Sequence, residues 1–138
     1  MALLSVADAL SRILDGVKPL GIEAVPLEKA ATRVLAEPVI AKRDQPPFAA
    51  SAMDGYAVRH SDVETLPATL RVSGISAAGH GFRKALQPGE AVRIMTGAPI
   101  PVGADTVVIQ ENTSREGDTL TVLNPTARGK NIRRPGLD

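Results

Sequence analysis

Lys42-Arg43-Asp44-Gln45-Pro46-Pro47 is the stretch at which the chain changes character. It is polar, and its two prolines fix φ and withhold two backbone donors, so neither a helix nor a strand ladder runs through it. Before it, apolar residues recur at the three- and four-residue intervals of a helix; after it they recur at two. The change of period predicts an α+β chain that is mainly β. An N-terminal helix and linker segment fills 1–42, and an irregular antiparallel β domain, barrel-like or built of bent sheets, fills 43–138.

Upstream, Ser5-Val6-Ala7-Asp8 has the form of a capping box with Asp as its acid. Val6, Ala9, Leu10, Ile13, Leu14 and Val17 follow at helical spacing, which predicts a helix over 6–17 bounded by Gly16 and Pro19. A single apolar stripe on so short a helix needs burial, either on the domain behind it or in a dimer contact. Residues 21–26 read as extended, 27–35 as a short helical piece after Pro26, and 39–41 as a strand after Pro38.

Downstream, 69–73 alternates and reads as a strand running on toward Ile75. A small-residue loop over 77–81 and a turn over 87–90 lead to a strand over 90–95. A β-branched strand follows over 105–111, and the Glu116-Gly117-Asp118 turn opens a further strand over 119–123.

The composition narrows the function classes. At 138 residues the chain has room for one ordinary domain, or a small domain with an appendage. Three aromatics and a net charge of +1, with the two signs mixed, argue against a nucleic-acid surface. There is no cysteine, which removes disulfides, thiol catalysis and cysteine zinc sites. His60 and His80 stand alone, without metal-binding spacing. The N-terminus lacks a basic n-region, and Asp8 and Arg12 interrupt its apolar run, so no signal peptide or membrane span is expected and the cytoplasm is the default location.

Three stretches hold groups suited to chemistry. In Pro46-Pro47-Phe48-Ala49-Ala50-Ser51-Ala52-Met53-Asp54-Gly55-Tyr56-Ala57-Val58, Gly55 permits a positive φ or a close backbone approach. Asp54 is then either a turn-former or a working carboxylate. In Met95-Thr96-Gly97-Ala98-Pro99-Ile100-Pro101, Thr96 either presents its hydroxyl and free N–H groups to an oxyanion or caps a rigid connection. In 129–136, Lys130, Arg133 and Arg134 form a basic turn, which is either a solvated loop or a phosphate contact. An acid, a hydroxyl and a cation on stiffened loops suit an anionic, phosphate-bearing ligand handled with a divalent ion.

SAMDGYAV over 51–58, RIMTGAPIPVGADTVV over 93–108 with Gln110-Glu111 behind it, and GKNIRRPG over 129–136 with Asp138 are long and co-linear. In that order and spacing they resemble the N-terminal part of the molybdopterin molybdotransferases, the MoeA family, which includes the gephyrin E-domain. The resemblance covers nearly the whole chain. It implies a helical linker region followed by an irregular β domain, and a reaction that inserts molybdate into adenylylated molybdopterin with release of AMP. It further implies Asp54 as the catalytic acid, Thr96 and Arg133 as substrate-binding residues, Mg²⁺ as cofactor with its ligands unassigned, and a homodimer. In the family a larger α/β domain and a second β domain follow, so the resemblance implies that this region contributes one side of a cleft and is inactive alone. Where the family commonly reads Gly-Glu-Asp, this chain has Gly136-Leu137-Asp138, and Leu137 offers no charge. The alternative is a non-catalytic dimerisation or interaction module built on the N-terminal helix.

Overall fold

The computed structural model describes residues 4–138. The chain forms two compact units, Met1–Ile40 and Ala41–Asp138.

In the first unit, α1 (Val6–Leu14) starts where the sequence places it. The Ser5 hydroxyl accepts from the Asp8 N–H at 3.1 Å and donates to the Asp8 carboxylate at 2.7 Å. Such a cap contributes about 1 kcal/mol to a helix. The helix stops short of the expected residue 17, because Asp15 leaves the helical region and Gly16 takes a φ of 81°. No residue of α1 is buried; Val6 is 86% and Ile13 71% exposed, so the apolar stripe stands open. The helical piece expected over 27–35 shrinks to a 3-10 turn, Leu27–Lys29. Thr32 at φ 68° ends any continuation, since a β-branched residue in that region cannot propagate a right-handed helix. The strand expected over 39–41 does not form: the run is exposed and pairs with no strand among the described residues.

The second unit holds eight strands: β1 (Ala50–Ser51), β2 (Gly55–Val58), β3 (Ala68–Ser76), β4 (Glu90–Ile94), β5 (Thr106–Ile109), β6 (Thr113–Glu116), β7 (Thr119–Val122) and β8 (Ile132–Arg133). Six of them make one sheet in the order β5-β2-β4-β3-β7-β6, while β1 and β8 pair separately. The mainly β architecture with one N-terminal helix is as expected. One pair departs from the antiparallel rule: β3 and β4 run parallel. The connection over 77–89 makes this possible, because a parallel neighbour needs a crossover of about a dozen residues or more. The register of β3 shifts between Val72 and Gly74, bending the sheet. A Cβ on Gly74 would sit 2.5 Å from the Phe82 ring, so the third aromatic packs where only glycine leaves room.

Side chains alternate into two cores on opposite faces. Tyr56, Val58, Leu70, Val72, Val108 and Leu120 belong to one. Ala57, Val92, Ile94 and Val107 belong to the other, which is closed by Leu86 and Ala98 from the connections. Burying each Val, Leu or Ile contributes about 1.5–3 kcal/mol. The strand β2, between β5 and β4, is covered on both faces, so every one of its residues is buried.

Candidate functional site

Antiparallel register places Gly55 of β2 opposite Ile94 of β4. The residue before β2 and the residues after β4 therefore meet, and these are Asp54 and Thr96. The Thr96 N–H donates to Asp54 Oδ1 at 2.7 Å and the Thr96 hydroxyl donates to the same oxygen at 2.8 Å. Gly97, at φ 80°, supplies the turn beyond Thr96 that a side chain would strain. On the main chain, the Gln110 N–H donates to the Asp54 carbonyl at 3.2 Å. The Asp54 loop is tied further by the Ser51 hydroxyl, which donates to the Met53 carbonyl at 2.6 Å, and by the Ala52 N–H, which donates to the Asn131 carbonyl at 2.9 Å.

The electrostatics follow from this geometry. The Thr96 backbone N–H, and then its hydroxyl, hold the Asp54 carboxyl below the ordinary carboxylate range; slight desolvation opposes them and the Arg93 guanidinium assists. Asp54 is thus a carboxylate at neutral pH, exposed, with Oδ1 engaged. Oδ2 receives no hydrogen bond among the described residues. Both Thr96 donors are committed to Asp54, so the N–H that sequence reasoning turned toward an oxyanion is not free to reach one.

Arg133 lies on β8, where it pairs with Ala50 of β1, and its guanidinium forms an ion pair with Asp138. No hydrogen bond or ion pair among the described residues joins it to Asp54 or Thr96. The link is through the backbone: Ser51, next to Ala50, donates to the Ala98 carbonyl at 2.9 Å and accepts from the Gly97 N–H at 2.8 Å. The Asp54 loop is thereby flanked by the Thr96 turn on one side and the basic turn on the other. Asn131, at φ 61°, shapes that basic turn and donates to the Val107 carbonyl at 2.9 Å. Leu137 is 60% exposed and makes no polar contribution.

Two residues beside the candidate site were missed by sequence reasoning. Arg93, on β4, donates to the Gly55 carbonyl and to Gln110, placing both beside Asp54. A cation between the buried Val92 and Ile94 is the available signal for Arg93; for Gln110 it is the Gln110-Glu111 pair behind the second motif. Asp105 is a junction rather than a site member. Its carboxylate accepts from the His60 N–H at 2.7 Å and from Arg128 Nε at 2.9 Å. Burial pushes the Asp105 carboxyl up, but the His60 N–H, Arg128 and Thr106 together outweigh burial and hold it below its ordinary value. An open cleft of about 470 Å³ beside it is lined by Arg59, His60, Glu64 and Arg128, and does not include Asp54 or Thr96. Among the described residues no group of three or more His, Asp or Glu is gathered closely enough to hold a metal ion.

Residues 4–138 match the family model described as "MoeA N-terminal region (domain I and II)". The chain is 43% identical over 138 residues to the molybdopterin molybdenumtransferase of Haemophilus influenzae, covering 99% of this chain and 34% of that protein. It is 44% identical over 115 residues to the protein of the same name from Nostoc sp., covering 80% and 26%. Among solved structures, the molybdopterin biosynthesis moeA protein of Pyrococcus horikoshii OT3 superposes with a TM-score of 0.81 at 39% identity, over 99% of this chain and 38% of that one. The chain thus spans about a third of the length of these relatives.

Proposed function

Because the chain belongs to the MoeA N-terminal region family across residues 4–138, we propose that it supplies one side of the active-site cleft of a molybdopterin molybdenumtransferase. The reaction is insertion of molybdate into adenylylated molybdopterin with release of AMP. The observation that carries this reading is the Asp54–Thr96 pair: an ionised carboxylate with one oxygen fixed by two donors and the other open. A turn-forming Asp would bond within its own turn, whereas this one reaches a residue 42 positions away.

In this reading Asp54 is the catalytic residue and Thr96 orients it. The Thr96 oxygen keeps lone pairs with which to accept from a substrate N–H or O–H, which is its substrate-binding part. Arg133 binds an anionic portion of the substrate by exchanging Asp138 for it. Mg²⁺ fits the donor set in one respect: Asp54 Oδ2 is exposed and unpaired, and Mg²⁺ commonly takes one or two protein carboxylates with the rest from substrate phosphates and water. Bound there, it would offset charge on the phosphoanhydride. Asp54 itself holds the negative charge; with no metal on Oδ2, that oxygen can instead accept or return a proton. The open stripe of α1 supports a homodimer in the full-length protein. A cytoplasmic location is proposed with it; among the described residues no helix is long and apolar enough to cross a membrane.

The test is a chimera in which residues 4–138 replace the aligned segment of the Haemophilus influenzae relative. Molybdate-dependent AMP release above background is expected from the chimera and none from the 138-residue chain alone. A folded, dimeric but inert chimera would instead support a non-catalytic interaction module, which the exposed α1 stripe also favours. In the active chimera, Arg133→Ala should weaken binding of adenylylated molybdopterin by about 1.5–3 kcal/mol, the worth of a charged hydrogen bond. Equilibrium dialysis showing unchanged affinity with the fold intact would assign Arg133 to its pair with Asp138 and to nothing more.

A further inference from the structure

Arg93 of β4 stands in antiparallel register with Tyr56 of β2. Its guanidinium carbon is 5.2 Å from the centre of the Tyr56 ring, within cation–π range. Tyr56 is buried, so the guanidinium rests on a fixed plate. From there Nη1 donates to the Gly55 carbonyl at 2.9 Å and Nη2 donates to Gln110 Oε1 at 2.7 Å. Gln110 in turn donates its N–H to the Asp54 carbonyl at 3.2 Å. The carbonyls of Asp54 and Gly55 are therefore both held by one connected group, while Thr96 holds the carboxylate.

We propose that Arg93 is the positioning residue of Asp54: by bridging the Gly55 carbonyl and the Gln110 side chain, it fixes the peptide from which the Asp54 carboxylate reaches Thr96. The proposal rests on Asp54 being the working group of the site, but the effect of Arg93 on Asp54 is a property of this chain and is measured without turnover. The chemistry asks for arginine. A planar guanidinium can sit flat on Tyr56 and serve two acceptors at once, whereas an ammonium is a point charge that cannot hold both in one plane. The same positive charge also favours the ionised form of Asp54.

The test is a pH titration by NMR of the 138-residue chain, following the Asp54 side-chain carbon and the Thr96 amide proton. In the wild type the two should titrate together, with a midpoint below the ordinary carboxylate value. Arg93→Gln should move that midpoint upward and abolish most of the Thr96 response. Arg93→Lys should restore part of the midpoint but not the response, because charge returns without the bridge. Gln110→Ala, with Arg93 intact, should weaken the response and move the midpoint less. Methyl signals of Val107 and Val108 report the fold. If Arg93→Gln lowers only Tm and leaves midpoint and response at wild-type values, Arg93 is a packing residue and the proposal fails. If that variant does not fold, wild-type behaviour in both Arg93→Lys and Gln110→Ala has the same consequence. A chimera in which Asp54→Asn turned over normally would remove the catalytic reading of Asp54 and leave the titration result standing.

Discussion

Asp54→Asn, made in the active chimera, is expected to lower the rate of AMP release by about 10²–10⁴-fold, the usual span for loss of a general acid or base. Fold and ligand binding should change little. Asn keeps the shape of Asp and tolerates the same backbone, and its side-chain oxygen can still accept from the Thr96 N–H and hydroxyl. What is lost is the charge on the carboxylate and the basicity of Oδ2. A structural Asp54 would make the substitution nearly silent, because the two Thr96 hydrogen bonds that hold the loop survive it. The measurement is single-turnover AMP release with pre-bound adenylylated molybdopterin and saturating molybdate. A wild-type rate in the Asn variant would leave Asp54 as a loop tie between β2 and the turn after β4.

The second large effect lies one residue on. Gly55→Ala should destabilise the β unit by about 1–3 kcal/mol or prevent its folding, as overpacking at a rigid site does. Gly55 has an ordinary backbone conformation, so backbone strain is not the issue. On entropy alone alanine would stabilise by about 0.4–1 kcal/mol. The clash decides the sign: a Cβ at Gly55 would lie 2.9 Å from the Val108 carbonyl carbon and nearer still to its oxygen. That carbonyl belongs to β5, paired with β2 in the register Tyr56↔Val108, and main chain cannot rotate aside as a side chain can. The two strands must separate where Asp54 is carried. A urea midpoint equal to wild type at unchanged m would contradict this. Of the two uses that glycine offers here, close approach rather than positive φ is the one the fold requires.

The sequence showed most clearly those elements with one face buried. In β3, Ala68, Leu70 and Val72 are buried while Thr69 and Arg71 are exposed, so its alternation could be read directly. The strand β2 has both faces covered, and Gly55-Tyr56-Ala57-Val58 therefore shows no period. Strands β1 and β8 are two residues each, too short to carry a pattern. Strand β6 is mostly exposed and polar, held by its partner β7 rather than by a core. In the site, Asp54 and Thr96 were each visible within a motif, but their contact is created by the register Gly55↔Ile94, which no local pattern encodes. Arg93 stands in the sequence only as the first residue of the RIMTGAPIPVGADTVV stretch. Its use depends on Tyr56 lying opposite, again a matter of register. Arg133 was placed with the other two by chemistry, whereas the fold gives it Asp138 as its immediate partner.

The pairing of β1 with β8 has an architectural consequence. Residues 50–51 lie beside 132–133, and the seam continues outward, with the Gly136 N–H on the Pro46 carbonyl at 3.1 Å and the Asp138 N–H on the Gln45 carbonyl at 3.0 Å. The backbone enters and leaves the β unit through one doorway. Topologically this is how an inserted module is built, since neighbouring entry and exit points let a folded piece interrupt another structure without stretching it. Segments attached before residue 45 and after residue 138 would spring from the same place. A circular permutant that joins these two points and opens the chain at the exposed Glu116-Gly117-Asp118 turn would preserve the doorway and leave β2, β4 and the Asp54 loop uncut.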